Sequence, residues 1–379
     1  MFYKIKVLST IVLGLMVLLL VACGAQSASQ TAQQLVVRTG AALETQQVSG
    51  EKPGEAEHDK TAEEHAGDEH SAAAEGMAIA NLAPVDLTAG EKLTVLATTN
   101  IIGDMAHNVT GDLIDLTVMI PVGSDPHGFS PTPQDVATVA ETDMVLSNGL
   151  GYEEFLSEVI ENAGGEAIII ATSTGVETRD FEATADHDEA DQEHASDEHA
   201  QAHEDVDPHV WMTPANAQVM VRNIAAALSA LDPTNAAAYE ANATAYEARL
   251  KDLDAWVQEQ IATIPIENRQ MVTDHEAFGY YADRYGLKVV GAVIPAYSTN
   301  VEPSAQELAD LQDKISVLGV KAIFVNTTIN PTLAKQVAAD SGIRLVPLYA
   351  ESLGEVGSGV ETYIDFIRYN TTAIVEALR

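Results

Sequence analysis

Residues 234–264 contain neither glycine nor proline. Within them Tyr246, Leu250, Leu253, Val257 and Ile261 recur at i, i+4, i+7, i+11 and i+15, the spacing of one buried helix face. The acid of Asp232-Pro233 is expected to serve as the N-cap. At about 1.5 Å per residue, some 30 residues span roughly 45 Å. A rod of that length runs the full extent of a molecule, so the segments on either side of it are expected to be two bodies joined stiffly. A chain of 379 residues is long enough to give each a core.

Both flanks alternate between strand-like and helical patterns. Before the rod, strands are expected at 93–98, 113–120, 144–147 and 167–171, with helices at 101–109, 133–142, 153–162 and 214–231. After it, strands are expected at 270–273, 287–294, 321–325 and 344–348, with helices at 277–285, 303–318, 331–341 and 359–378. This βαβα order implies parallel sheets covered by helices. The expected fold class is therefore α/β, with two parallel-sheet lobes joined by one long rigid helix. The expected boundaries are 91–231 for the first lobe, 232–265 for the linker helix and 266–379 for the second lobe. A cleft follows at the junction.

The first ninety residues read differently. Lys4 and Lys6 precede an apolar run over 7–22, short of the roughly 20 residues of a membrane span but suited to a signal peptide over 1–22. The run ends in Leu20-Val21-Ala22-Cys23-Gly24, which resembles a bacterial lipobox. Cys23 is thus expected to carry lipid and hold the protein on the outer face of the cytoplasmic membrane. It is the only cysteine, so no disulfide forms, and any metal site must use nitrogen and oxygen ligands. Residues 23–90 are rich in Ala, Gln, Ser, Thr, Gly and Glu, lack aromatics, and are expected to form a disordered tether.

The formal charge of −38 disfavours nucleic-acid partners. Residues 180–207 hold 12 acids and no Lys or Arg, and His187, His194, His199 and His203 lie among them. Imidazole and carboxylate are ligands for borderline divalent metals. Glu193-His194-Ala195-Ser196-Asp197-Glu198-His199 echoes Glu64-His65-Ala66-Gly67-Asp68-Glu69-His70 in the tether. This loop is expected to gather dilute metal through weak, exchanging contacts.

Three further histidines sit in compact motifs: Asp125-Pro126-His127, Asp207-Pro208-His209 and Asp274-His275. His127 and His275 follow expected strands, as does Glu351, and ligands in open α/β sheets collect at the carboxyl ends of strands. Each is weak alone; their recurrence in both lobes suggests three imidazoles and one carboxylate meeting in the cleft. His107 falls within the first helix and is expected to be a surface or packing residue.

The motifs also carry a family resemblance. The segment 121–135, PVGSDPHGFSPTPQD, resembles the first metal-ligand motif of the cluster A-I substrate-binding proteins, which serve ABC importers for zinc and manganese. Asp207-Pro208-His209-Val210-Trp211-Met212-Thr213-Pro214 is similar to their second motif, and the segment 272–280, VTDHEAFGY, to their third. Glu302-Pro303-Ser304 and Glu351-Ser352-Leu353-Gly354 match later stretches. The resemblance covers about residues 91–379. It implies His127, His209, His275 and Glu351 as ligands, with permease and ATPase subunits as partners of a monomeric binding protein. Manganese-type relatives usually carry Glu at the third position and Asp at the fourth, where this chain has His275 and Glu351. The longer Glu351 can bind through one oxygen or two, or stand back while water fills in.

Three nitrogens and one oxygen suit zinc, while manganese prefers more oxygen. Zinc capture for an importer is the expected function, with manganese or iron delivery as the alternative on the same scaffold. A zinc hydrolase is the rival from another class. His275-Glu276-Ala277-Phe278-Gly279 opens like HExxH, yet Gly279 stands where the second histidine is needed. Cell adhesion is a further role ascribed to some members of the family.

Overall fold

The computed structural model describes residues 82–164, 167–179 and 206–379. The first lobe runs β1 (Thr94–Ala97), α1 (Asn100–Thr110), β2 (Asp115–Val118), α2 (Pro133–Ala140), β3 (Met144–Ser147), α3 (Leu156–Ala163) and β4 (Ile168–Ala171). The helices α4 (Pro214–Leu231) and α5 (Ala236–Ile261) follow. The second lobe runs β5 (Gln270–Thr273), α6 (Gly279–Tyr285), β6 (Lys288–Ala292), α7 (Ala305–Leu318), β7 (Ala322–Asn326), α8 (Thr332–Ser341), β8 (Arg344–Leu348) and α9 (Tyr363–Leu378). The two sheets are ordered β2-β1-β3-β4 and β6-β5-β7-β8, and every pairing is parallel. The α/β class and the two four-stranded sheets agree with expectation. In each sheet the chain steps from its first strand to one side and returns on the other. The crevice at that switch opens at the carboxyl ends of β1 and β3 in one lobe and of β5 and β7 in the other.

The strands explain their own lengths. MVLS in β3 and AIFVN in β7 are buried throughout, as central strands covered on both faces must be. β2 lies at an edge with two of its four residues apolar, is largely exposed, and is shorter than the expected 113–120.

The 26-residue helix α5 is about 39 Å long at 1.5 Å per residue. Its buried stripe starts at Tyr239 and Ala243, ahead of the predicted Tyr246-to-Ile261 face. That stripe joins α1, α4 and α9 in one apolar core, which also takes in Val95 and Leu146 of the first sheet and Met271 and Phe324 of the second. Smaller clusters cover the other sheet faces. Because one close-packed core crosses from lobe to lobe, wide hinge opening would tear it, and only small tilts are compatible with it.

Two expectations are corrected. Asp232 does not cap α5. Its amide closes α4 on the Leu228 carbonyl, and its carboxylate accepts from Asn235 Nδ2 at 2.6 Å and the Tyr239 hydroxyl at 2.8 Å. With that side chain committed to a buried phenol, α5 begins at Ala236 without a side-chain cap. Residues 82–90, expected in the disordered tether, instead lie on the core. Leu82, Val85 and Leu87 pack against it, and the Val85 amide donates to the Leu231 carbonyl. The signal peptide, Cys23, the rest of the tether and His187, His194, His199 and His203 lie outside the described residues. Among the described residues no helix is long and apolar enough to cross a membrane.

Candidate metal centre

The two Asp-Pro-His motifs fold alike. In each, the aspartate side chain accepts the backbone N–H of the histidine two residues on, at 3.1 Å for Asp125 and His127 and 3.0 Å for Asp207 and His209. Such a local turn, with proline between, fixes where the imidazole leaves the backbone. Asp274 holds the His275 amide at 2.9 Å just beyond β5, and the Asn326 amide at the end of β7 donates to its other oxygen at 2.5 Å. Glu351 lies past β8, in a segment pinned to the first lobe. Trp211 Nε1 donates to the Ala350 carbonyl at 2.8 Å, and Asn100 bonds both Ser352 Oγ and the Leu353 amide.

These four segments bring His127, His209, His275 and Glu351 together. One ligand atom from each lies within 4.8 Å of all the others. The imidazole centroids stand 5.4 to 6.0 Å apart. Glu351 Oε1 lies 2.9 Å from His275 Nε2 and 3.3 Å from His209 Nε2, and Oε2 lies 4.0 Å from His127 Nε2. All four side chains are buried, His127 being 3 % exposed and the others 0 %. Nε2 of His127 and Nε2 of His209 are buried with no aligned hydrogen-bond partner. Buried polar atoms without partners are expensive, so lone pairs converging in this way suit a cation. A cavity of about 950 Å³ reaches His127 and Tyr152 and is bordered by Thr178 and Val206, near the two ends of the undescribed 180–205.

Partners around the cage were not singled out from sequence. Asp207 Oδ1 lies 2.9 Å from His209 Nδ1, and Asp274 Oδ1 lies 3.1 Å from His275 Nδ1. An ionised carboxylate has no proton to give, so Nδ1 carries the hydrogen and Nε2 is left to face the cage. The signal was present: each ligand histidine has an aspartate one or two positions before it. Tyr152 donates a short hydrogen bond to Glu351 Oε2 from the first lobe. Nothing in its local sequence marked it. It is aimed by three consecutive left-handed residues, Gly149, Leu150 and Gly151, and by the buried Glu153, whose carboxylate accepts from Asn148 N, Gly149 N and Thr98 Oγ1. His107 is exposed on α1, away from the cage.

Protonation follows from this packing. Burial pushes His127 down to about 3; the charge of Glu351 opposes the shift, and the two other imidazoles reinforce it. Burial would also lower His275, but hydrogen bonds and charge from Asp274 and Glu351 overcome it and lift His275 to about 10. His209 is raised for the same reason, burial being outweighed by Glu351 and Asp207. Burial would raise Glu351, yet the charge and close approach of His209, the hydrogen bond from His275 and the charge of His127 hold it well below the carboxylate range. Without metal, the Glu351 carboxylate faces a His275 lifted toward its protonated form, and a divalent cation can take that proton's place.

The chain is similar to known metal-binding proteins. The family model described as ZnuA, zinc-uptake complex component A periplasmic, matches residues 95–377. The manganese-binding lipoprotein MntA of Halalkalibacterium halodurans is 31 % identical over 290 residues, covering 76 % of this chain and 89 % of that protein. The manganese ABC transporter substrate-binding lipoprotein PsaA of Streptococcus pneumoniae is 32 % identical over 298 residues, covering 77 % and 91 %. Among solved structures, the periplasmic zinc-binding protein TroA from Treponema pallidum matches with a TM-score of 0.65 at 27 % identity, over 76 % of this chain and 99 % of that one. The Mn-bound periplasmic metal-binding protein from Candidatus Liberibacter asiaticus matches with a TM-score of 0.64 at 28 % identity, over 76 % and 100 %. The chain belongs to the ZnuA family, the extracytoplasmic metal-binding proteins that supply ABC importers, and it is not an enzyme.

Proposed function

We propose that the metal delivered is zinc, held by His127, His209, His275 and one oxygen of Glu351. The observation that carries this is the Tyr152 hydrogen bond. It occupies Glu351 Oε2, leaving Oε1 to face the imidazoles. Three nitrogens and one oxygen make a four-ligand set, which zinc accepts and manganese, preferring more oxygen, fills poorly. The likeness to TroA, a periplasmic zinc-binding protein, supports zinc. The names of MntA and PsaA support a second reading, manganese delivery. Zinc outcompetes manganese at almost any such site, so affinity alone does not decide. Uptake of radiolabelled zinc and manganese should be measured in cells with and without the protein, at scarce metal. Zinc uptake is expected to fall on deletion with manganese uptake unchanged; the reverse result would establish manganese.

Tyr152→Phe frees Oε2, so that Glu351 can chelate through both oxygens. A charge-assisted hydrogen bond contributes about 1.5–3 kcal/mol, and the zinc-over-manganese preference is expected to narrow by about tenfold. Competitive titration of the metal-free protein measures it. An unchanged ratio would mean that the tyrosine does not set the carboxylate's binding mode.

The protein works as a monomer anchored through lipid on Cys23 to the outer face of the cytoplasmic membrane. The lipoprotein names of its relatives and the motif around Cys23 support the anchor. His187, His194, His199 and His203 gather metal for the cage, which then passes it to the permease while the ATPase drives import. Deleting residues 182–204 is expected to leave the affinity of the cage unchanged and to reduce uptake at scarce zinc. Equal uptake by the deleted and full chains would show the loop to be only a solvated insert.

A further inference from the structure

Asp207 divides its two oxygens between two tasks. Oδ1 holds the His209 ring and amide, and Oδ2 accepts from Arg179 Nη1 at 3.0 Å. Arg179 Nε continues to Asp283 Oδ2 at 2.9 Å. Asp207 belongs to the segment that carries a ligand of the first lobe, whereas Asp283 lies on α6 of the second. One guanidinium thus spans the lobe boundary beside the cage.

The seat for this guanidinium is built by the third motif. A Cβ on Gly279 would fall 2.0 Å from Arg179 Nη1, 2.5 Å from its Cζ and 2.7 Å from Asp207 Oδ2. Tyr280 follows. Its hydroxyl accepts from the Arg179 amide at 3.2 Å and donates to the Asp207 carbonyl at 2.8 Å. The Asp207 amide in turn donates to the Arg179 carbonyl. A bare Gly-Tyr pair on the second lobe therefore receives the arginine and the backbone of the His209 motif together.

We propose that Arg179 is a positioning residue that couples the orientation of His209 to the approach of the two lobes. This rests on the reading of the four side chains as a metal cage, and it concerns how the cage holds and releases its ion. The two acids differ in their access to water. The Asp207 side chain is 0 % exposed and that of Asp283 is 65 % exposed. When the lobes tilt apart, water replaces the guanidinium at Asp283 readily, but a buried Asp207 cannot be left unpaired. The arginine stays with Asp207 and loses the second acid that fixed its plane. The Asp207 carboxylate is then free to turn, and His209 loses the partner that aims Nε2 at the ion. Lobe separation is thereby converted into a weaker grip by one ligand.

The test uses the full chain, with release of zinc to a chelator followed by stopped flow and Co²⁺ as a spectroscopic probe of the cage. Loss of a partner behind a metal-ligating histidine typically weakens metal binding about 10–100-fold. Arg179→Met is expected to speed zinc release to that extent and to shift the Co²⁺ ligand-field band. Asp283→Asn removes a partly exposed ion pair, and release is expected to rise about two- to fivefold with a smaller shift of the band in the same direction. Arg179→Lys keeps the charge without the fork and is expected to fall between. Wild-type release and an unshifted band in a folded Arg179→Met protein would overturn the proposal. Should that variant fail to fold, wild-type release in both Asp283→Asn and Arg179→Lys would overturn it equally. Failure of the wild type to bind Co²⁺ or zinc would instead remove the cage reading itself.

Discussion

Replacing Glu351 with glutamine is expected to weaken metal binding by about 2.5–4 kcal/mol, roughly a hundredfold to a thousandfold, one ligand's share of the roughly 10–16 kcal/mol that four-ligand zinc sites provide. Glu351 is the point at which side chains of both lobes meet. It lies against Nε2 of His209 and His275 and accepts from Tyr152, all inside a buried site. An amide of the same shape fills the space and keeps an acceptor, so the loss reads out charge, not volume. The metal-free protein should respond as well. Breaking one partner of a buried ion pair removes about 3–5 kcal/mol of stability. The sign of its pH dependence follows from the two shifts. His275 is raised from 6.5 to about 10, so its contribution is complete below pH 6.5 and fades as pH climbs to about 10. Glu351 is depressed, so its contribution is complete above its ordinary 4.5 and is lost only in stronger acid. Denaturant melts of metal-free wild type and Glu351→Gln should therefore differ most between pH 4.5 and 6.5 and converge toward pH 10. A gap that widens with pH would contradict the assigned protonation of the cage.

Much of this cage was legible because its chemistry travels in short motifs. His127, His209 and His275 announced themselves as histidines beside aspartate at the ends of strands, and Glu351 by its place after β8. The repeated βαβα alternation, with a glycine- and proline-free rod between, similarly fixed two parallel sheets and a stiff joint. What stayed hidden depended on long-range contacts. Tyr152 lies 199 residues from the carboxylate it restrains, and Arg179 lies 104 residues from Asp283. No window of sequence reports such pairings. Asp232 shows the converse failure. Its Asp-Pro context reads as a helix start, but a buried Tyr239 hydroxyl seven residues on takes the carboxylate. Local propensity yielded to tertiary packing, as it does wherever a polar side chain finds a buried partner. Residues 82–90 misled through composition, since three apolar side chains suffice to dock a segment that otherwise resembles the tether.

Metal affinity is expected to rise by one to two powers of ten for each pH unit and to keep rising well above neutrality. Free histidines titrating near 6.5 would give a dependence that flattens above pH 7. This cage differs because acids raise two of its three imidazoles, His209 and His275. His275, lifted to about 10, carries its proton throughout the neutral range and must surrender it when the cation arrives. His209, also raised, surrenders a second wherever the pH lies below its own shifted value. His127, pushed down to about 3, is already neutral and releases nothing, and Glu351 stays ionised throughout. Binding at pH 7 should thus release between one and two protons. Calorimetric titration with zinc in buffers of differing ionisation enthalpy counts them directly. From pH 8 to pH 6 the affinity should fall at least about a hundredfold, one factor of ten per pH unit for each proton displaced. The slope should vanish only near pH 10, where His275 loses its proton unaided. In Glu351→Gln one of the two acids that raise each imidazole is gone while Asp274 and Asp207 remain, so proton release at pH 7 should fall below the wild-type value and the slope should become shallower with it. Proton release unchanged by this substitution would break the link between Glu351 and the charge state of its histidines.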